Sequence, residues 1–227
     1  MVFIFSPTHF FINNFSHPHM SVLHPPIHPW RLVLASASPR RRELLDQLGV
    51  RYEVKPADLV EQPRPDELAE DYVQRIAAEK SLAAWSLTPD GLPVLAADTE
   101  VVLDGEIFGK PRDKADATDM LSRLSGREHW VMSAVSLRAC GQHWFALSMS
   151  HVRFRTLTLG DIEAYWATGE PQGKAGAYAI QGLGALFIER LSGSYSGVMG
   201  LPLRETAELL RQIDIDPLRS SRENFAG

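Results

Sequence analysis

From residue 31 onward the apolar and polar positions switch between the period of strands and the period of helices. Residues 32–35 form a short apolar run of the kind a buried strand makes. Ser38 then suits an N-cap, and Pro39 suits the first helical position, where its missing N–H would be unpaired anyway. Leu44, Leu45 and Leu48 fall on one helical face, and Gly49 can end the helix in the left-handed conformation. Residues 51–55 alternate like a second strand, and residues 56–65 read as a loop carrying Asp58 and Glu61. Asp66 is expected to open a helix through about Trp85, with Ala69, Tyr72, Val73, Ile76, Ala77, Ala83 and Ala84 inward. Lys80 lies on that apolar stripe. Its side chain either snorkels past the core to water or points its ammonium into a polar cleft.

The second half is richer in strands. Residues 93–97 predict an apolar strand ending at Asp98-Thr99, where α/β proteins often display catalytic carboxylates. Residues 101–108 predict a hairpin around Asp104-Gly105, a favoured turn dipeptide. A loop at 109–113 and a helix at 115–124 follow, with Met120, Leu121 and Leu124 inward. Residues 130–138 and 144–157 read as two long antiparallel strands, and Thr158 with Asp161 makes a capping box for a short helix. Four glycines within residues 173–184 imply close backbone approach or left-handed turns. A strand at 185–191, a turn at 193–197 and a final helix from Pro202, with Leu203, Ala207, Leu210 and Ile213 inward, complete the pattern.

Composition narrows the function classes. The 227 residues suit one large domain or two lobes sharing a core, and the 44% apolar and 22% charged content is that of a globular protein. A net charge of −5 argues against a nucleic-acid or anionic-membrane surface. No apolar run reaches membrane-spanning length. The single cysteine, Cys140, excludes an internal disulfide framework and fits a reducing cytoplasm. Residues 1–30, rich in His and Pro toward their end, read as a disordered extension, with Met20 as an alternative start.

Positive charge is therefore informative only where it is local. Arg40, Arg41 and Arg42 occupy the first turn of the first helix, where the dipole disfavours cations by about 0.3–1 kcal/mol each. Free amides, serine hydroxyls and guanidinium groups at that turn would suit a phosphate chain, the alternative being a solvated arginine patch. Lys80 and the Lys110-Pro111-Arg112 loop add cations, and a carboxylate beside them can hold Mg²⁺ and orient or deprotonate water. No P-loop, nucleophile elbow or dinucleotide fingerprint is present.

Six segments, taken in order, resemble the Maf family of nucleoside triphosphate pyrophosphatases. They are Leu34-Ala-Ser36-Ala-Ser38-Pro-Arg40-Arg41, Ala78-Glu79-Lys80, Ala97-Asp98-Thr99, Gly109-Lys110-Pro-Arg112-Asp113, Lys174-Ala-Gly-Ala-Tyr178-Ala-Ile-Gln181-Gly182 and Gly200-Leu-Pro202. The resemblance implies an α/β fold like that of Maf and ITPase proteins: a mixed twisted sheet flanked by helices, with two lobes around a central nucleotide-binding cleft. It implies a domain over 31–214, with a tail at 215–227. Ser38, Arg40, Arg41 and Tyr178 would bind the triphosphate. Lys80 and Lys110 would hold phosphate oxygens, Asp98 would act as general base or metal-water partner, and Gln181 would orient the reacting phosphate or water. Asp98 and Glu61 would be ligands for a divalent cation, Mg²⁺ or Mn²⁺. A nucleoside triphosphate is then the expected partner, with neither nucleic acid nor membrane, and a homodimer stays open.

Within the family, Ala-Gly-Ala-Tyr178 to Gln181-Gly with Gly193-Ser-Tyr195 resembles the branch acting on dTTP and UTP. Glu100 departs from the aliphatic residue common after Ala-Asp-Thr, and Gly197 and Met199 stand where Asn and Val are usual. On a regular strand Glu100 would share a face with Asp98, adding metal affinity or simply meeting solvent. The rival from another class is a nucleotide-binding regulator of septum formation without essential catalysis.

Overall fold

The computed structural model describes residues 31–219, except 58, 89 and 90. The expected extension at 1–30, Asp58 and the chain beyond 219 lie outside the described residues.

Seven strands form one mixed sheet: β1 (Leu32–Leu34), β2 (Tyr52–Val54), β3 (Val94–Leu103), β4 (Glu106–Phe108), β5 (Glu128–Ala139), β6 (Gln142–Phe154) and β7 (Ile188–Ser192). Their order is β2-β1-β3-β5-β6-β7, with β4 also paired to β3. The first three are parallel and the remaining pairs antiparallel. Helices α1 (Pro39–Gln47), α2 (Ala69–Ser86), α3 (Lys114–Leu124), α4 (Leu159–Ala167), α5 (Tyr195–Met199) and α6 (Leu203–Arg211) flank the sheet.

Strand β3 is the spine. Successive side chains alternate between its faces. Val94, Ala96 and Val102 pack toward α2, against Ala84 at one end and Ala69, Val73 and Ala77 at the other. On the opposite face Leu95 and Ala97 join α1 and α6, while Val101 and Leu103 join α3 and α4. These two clusters are the two lobes, and Thr99 falls between them. The edge of β3 opens at the same place. Strand β1 pairs with Val94 and Leu95, and β4 pairs with residues 101–103. Among the described residues, 97–100 therefore carry β5 on one side and no strand on the other.

Several expected boundaries shift, each for a local reason. β3 does not end at Asp98-Thr99 but runs on, because pairing with β5 continues through Asp98, Thr99 and Glu100. The helix expected from Asp66 begins at Ala69. Asp66 has a left-handed φ of 58°, and the Glu67 carboxylate is taken by Arg75 at 2.6 Å and by the Arg64 N–H at 2.9 Å. The strand expected at 185–191 is delayed to Ile188 by a 3-10 turn over Leu183–Phe187. The expected turn at 193–197 contains the start of α5, capped where Ser194 Oγ accepts the Gly197 N–H at 2.9 Å. Helix α6 turns Glu205, Thr206, Leu209 and Leu210 inward rather than Ala207. Ile215, expected in the tail, is buried in the α1–α6 cluster.

Elsewhere the expected local chemistry is present. Ser38 caps α1 with Pro39 in its first turn, Gly49 has φ 64°, and Thr158 and Asp161 form both halves of a capping box. No helix among the described residues is long and apolar enough to cross a membrane.

Candidate active site

The open edge of β3 is the floor of a cleft of about 910 Å³. Ser38, Arg40, Arg41, Glu61, Lys80, Asp98, Lys110, Tyr178 and Gln181 all line it. Residues more than a hundred positions apart thus meet at one gap in the sheet.

The carboxylate floor is built by β3 and α2. Asp98 and Glu100 stand two apart on the same face and are both buried. Lys80 comes from α2 to meet them, and it does not snorkel to water: its Nζ lies 2.7 Å from Asp98 Oδ1 and 2.9 Å from Glu61 Oε1. Burial pushes Glu61 up, but the Lys80 ammonium, with Lys110 and Arg41 nearby, outweighs it and holds the carboxyl below its ordinary range. Glu100 goes the other way. Burial, then the nearby Asp98 and Glu61 charges, push it up to about 8.

The cation wall is built by the turn into α1. Arg41 donates from Nε to the Gly200 carbonyl at 2.9 Å and from Nη1 to Ser36 Oγ at 3.3 Å. Its Nη2 reaches Thr99 Oγ1 at 3.5 Å, and Thr99 Oγ1 shares a 2.8 Å hydrogen bond with Ser133 Oγ. Ser133 in turn donates to the Gly197 carbonyl at 2.6 Å, so α5 is tied to the same network. Burial lowers Arg41, opposed by the charges of Asp98, Glu61 and Glu100. Burial and then the neighbouring Arg41 lower Arg40. Two crowded guanidinium groups facing a cleft favour an incoming polyanion.

Some expected roles look different in place. Ser38 Oγ is partly spent capping α1, accepting the Arg41 N–H at 3.5 Å. Tyr178 lines the cleft, but its hydroxyl shares a 2.9 Å hydrogen bond with buried His129 and its ring packs edge-on against Phe154. Arg112 leaves the cation set, because Asp116 holds it at 2.9 Å on the surface. Further cleft residues are Ser36, Tyr72, Thr99, Glu100 and Lys174. Of these, Tyr72 carried only a core signal in the sequence, yet burial and the charges of Glu100, Asp98 and Glu61 all raise its hydroxyl.

Asp98 Oδ2 and Glu100 Oε2 are buried and have no hydrogen-bond partner. Oxygen donors of this kind fit a hard divalent cation. No group of three or more His, Cys, Asp or Glu side chains among the described residues is placed to hold a metal alone. A cation here would need phosphate oxygens as well, which is the usual arrangement for Mg²⁺.

The mixed sheet, open at one strand edge where arginines and lysines face buried carboxylates, defines an α/β protein built to hold a polyanion beside acidic groups. The chain belongs to the family described as Maf-like protein, which it matches over residues 31–213. A dTTP/UTP pyrophosphatase of Methylococcus capsulatus is 60% identical over 83% of this chain and 94% of its own. One of Nitrosomonas europaea is 52% identical over 81% and 95%, and one of Salmonella typhimurium is 50% identical over 86% and 98%. Among solved structures, the Staphylococcus aureus Ham1 protein aligns at 17% identity and a TM-score of 0.41, over 54% of this chain and 71% of that one.

Proposed function

We propose that this protein hydrolyses dTTP and UTP to the nucleoside monophosphate and pyrophosphate in the cleft above Asp98. The observation that carries the reading is the Asp98 carboxylate: one oxygen is held by Lys80 and the other, Oδ2, is buried without a partner. A pure binding site needs no such base. The names of relatives 50–60% identical over most of their length supply the substrate class.

In this reading Arg40, Arg41 and Lys110 bind the phosphate chain and Gln181 orients it. Asp98 Oδ2 accepts a proton from water as the water oxygen bonds to the α-phosphorus. The bond from that phosphorus to the α–β bridging oxygen breaks, and pyrophosphate leaves with the electron pair. Charge growing on the leaving group is offset by the cations already facing it, which need no reorganisation at that moment. Asp98 and Glu100, with Glu61 at the rim, would hold a divalent cation, Mg²⁺ or Mn²⁺, which supplies Lewis-acid polarisation of the phosphoryl oxygens when bound. A cytoplasmic location accords with the single cysteine.

Every triphosphate presents the same chain, so base choice must come from elsewhere. The wall formed by Ala175, Tyr178, Ile180 and Met199 is available for it. Backbone amides and carbonyls there would match the imide shared by thymine and uracil, whereas cytosine reverses part of that pattern. Each polar group left unpaired costs about 1–3 kcal/mol. The test is kcat/KM across dTTP, UTP, CTP, GTP and ATP with Mg²⁺ and with Mn²⁺. CTP or GTP turned over as efficiently as dTTP would sink the base assignment.

A further inference from the structure

The glycine-rich segment reaches the cleft as irregular backbone, and two side chains outside the cleft hold it. Glu170 Oε2 accepts the Leu183 N–H at 2.9 Å, and its Oε1 accepts the Gly184 N–H at 3.0 Å. Tyr165, on α4, donates its hydroxyl to the same Oε1 at 2.6 Å and accepts the Ala179 N–H at 3.0 Å. Backbone amides on both sides of Gln181 are therefore tied to one Tyr–Glu pair. Tyr165 is itself anchored, buried with its ring edge-on to Phe187 at 4.9 Å.

The fit leaves no room for a side chain. A Cβ at Gly182 would lie 2.3 Å from Glu170 Oε2, and one at Gly184 would lie 2.6 Å from the Ala179 carbonyl oxygen and 2.7 Å from the Tyr165 hydroxyl. At Gly182 a side chain would have to displace the Glu170 carboxylate, and at Gly184 it would meet the Ala179 backbone as well as the Tyr165 hydroxyl. Burial opposes the Glu170 charge, but Tyr165 and the two amides outweigh it and keep the carboxyl below its ordinary range. Hydrogen bonds to an ionised acceptor are the strong ones.

Neither Tyr165 nor Glu170 is among the residues lining the cleft, whereas exposed Gln181, between their anchor points, is. We propose that Tyr165 and Glu170 are positioning residues that fix the backbone at 179–184 so that Gln181 meets the bound triphosphate in one orientation. This rests on the pyrophosphatase reading and adds to it the residues through which Gln181 acts. A displacement of about 1 Å at a reacting group can cost roughly 100-fold, so a loosened clamp has a measurable consequence.

Tyr165→Phe removes one hydroxyl and keeps the ring, and Glu170→Gln keeps the side-chain size, so both variants should fold. Each is expected to lower kcat/KM for dTTP by about 10–100-fold. Combined with Gln181→Ala, each should lower it by much less than it does alone, because most of the clamp's effect passes through that side chain. Hydrogen exchange at the Ala179, Leu183 and Gly184 amides should quicken in both variants while β3 and β5 keep their protection. Losses that multiply in the double variants, or exchange and kcat/KM both unchanged, would overturn the proposal. The exchange measurement needs no substrate. A wild-type chain that fails to hydrolyse dTTP but exchanges as expected would therefore refute the activity and leave the clamp standing.

Discussion

Lys80 donates to one oxygen of Asp98 and leaves the other free: Nζ to Oδ1 is 2.7 Å, while Oδ2 is buried without a partner. The asymmetry divides the carboxylate into an oxygen that fixes its orientation and an oxygen that faces the chemistry. An Asp98→Asn variant keeps an oxygen for Lys80 and replaces the base with an amide. Turnover of dTTP is expected to fall by about 10²–10⁴, the usual scale for a lost general base, with nucleotide binding largely retained. Steady-state kinetics beside calorimetric binding of a non-hydrolysable analogue would show it, and near-normal turnover would remove Asp98 from the chemistry.

Lys80 also keeps two carboxylates apart from each other's charge. Its side chain is 9% exposed and that of Asp98 4%, so the pair is buried. Lys80→Met is expected to destabilise the fold by about 3–5 kcal/mol, the scale of leaving a buried charge alone. Adding Asp98→Asn should recover much of the loss, since the residues are in direct contact. Denaturant titration of the single and double variants checks this, and simple additivity would contradict it.

Glu100 gives the fold a pH dependence. Its folded-state value near 8 lies above the 4.5 of a free glutamate, so between those values the folded chain holds a proton that the unfolded chain has released. This contribution to stability is full below about pH 4.5 and is lost as pH rises through about 8. Measured with chelator present, Glu100→Gln should lack that decline and should be the more stable protein at pH 8.5. A wild-type decline that persists unchanged in the variant would assign it to another group.

Ser133 links the floor of the cleft to its wall, bonding both Thr99 Oγ1 and the Gly197 carbonyl. Ser133→Ala removes one hydrogen bond from each, while Thr99 Oγ1 keeps Arg41 and the Gly200 carbonyl and the Gly197 carbonyl keeps the Gly200 N–H, so a loss of about 0.5–1.5 kcal/mol is expected. Thermal melting measures it. Because Thr99 and Arg41 share the network, KM for dTTP should rise more than kcat falls.

What could be read beforehand follows from how locally each feature is determined. The Ser38 cap, the Thr158–Asp161 box and the Asp104-Gly105 turn depend on neighbours within four residues, and the sequence states them outright. The course of β3 does not. Two acidic residues inside an apolar run look like its end, and only pairing with β5 thirty-odd residues away carries the strand through them. Lys80 on an apolar stripe left two outcomes open, and the partners that decide between them come from β3 and a loop. Glu100 likewise leaves two outcomes open, added metal affinity or contact with solvent, and only its burial beside Asp98 removes the second. The roles of Tyr165 and Glu170 were invisible, since their ligands are backbone amides and any sequence supplies those.

Hydrolysis between the α and β phosphates shows itself in the identity of the products. The wild-type chain would be incubated with dTTP and Mg²⁺ and followed by phosphorus NMR. dTMP and pyrophosphate are expected in equal amounts, with no orthophosphate. Formation of dTDP and orthophosphate would contradict it, as would tight binding of dTTP with no turnover, the result expected of a regulator that only binds.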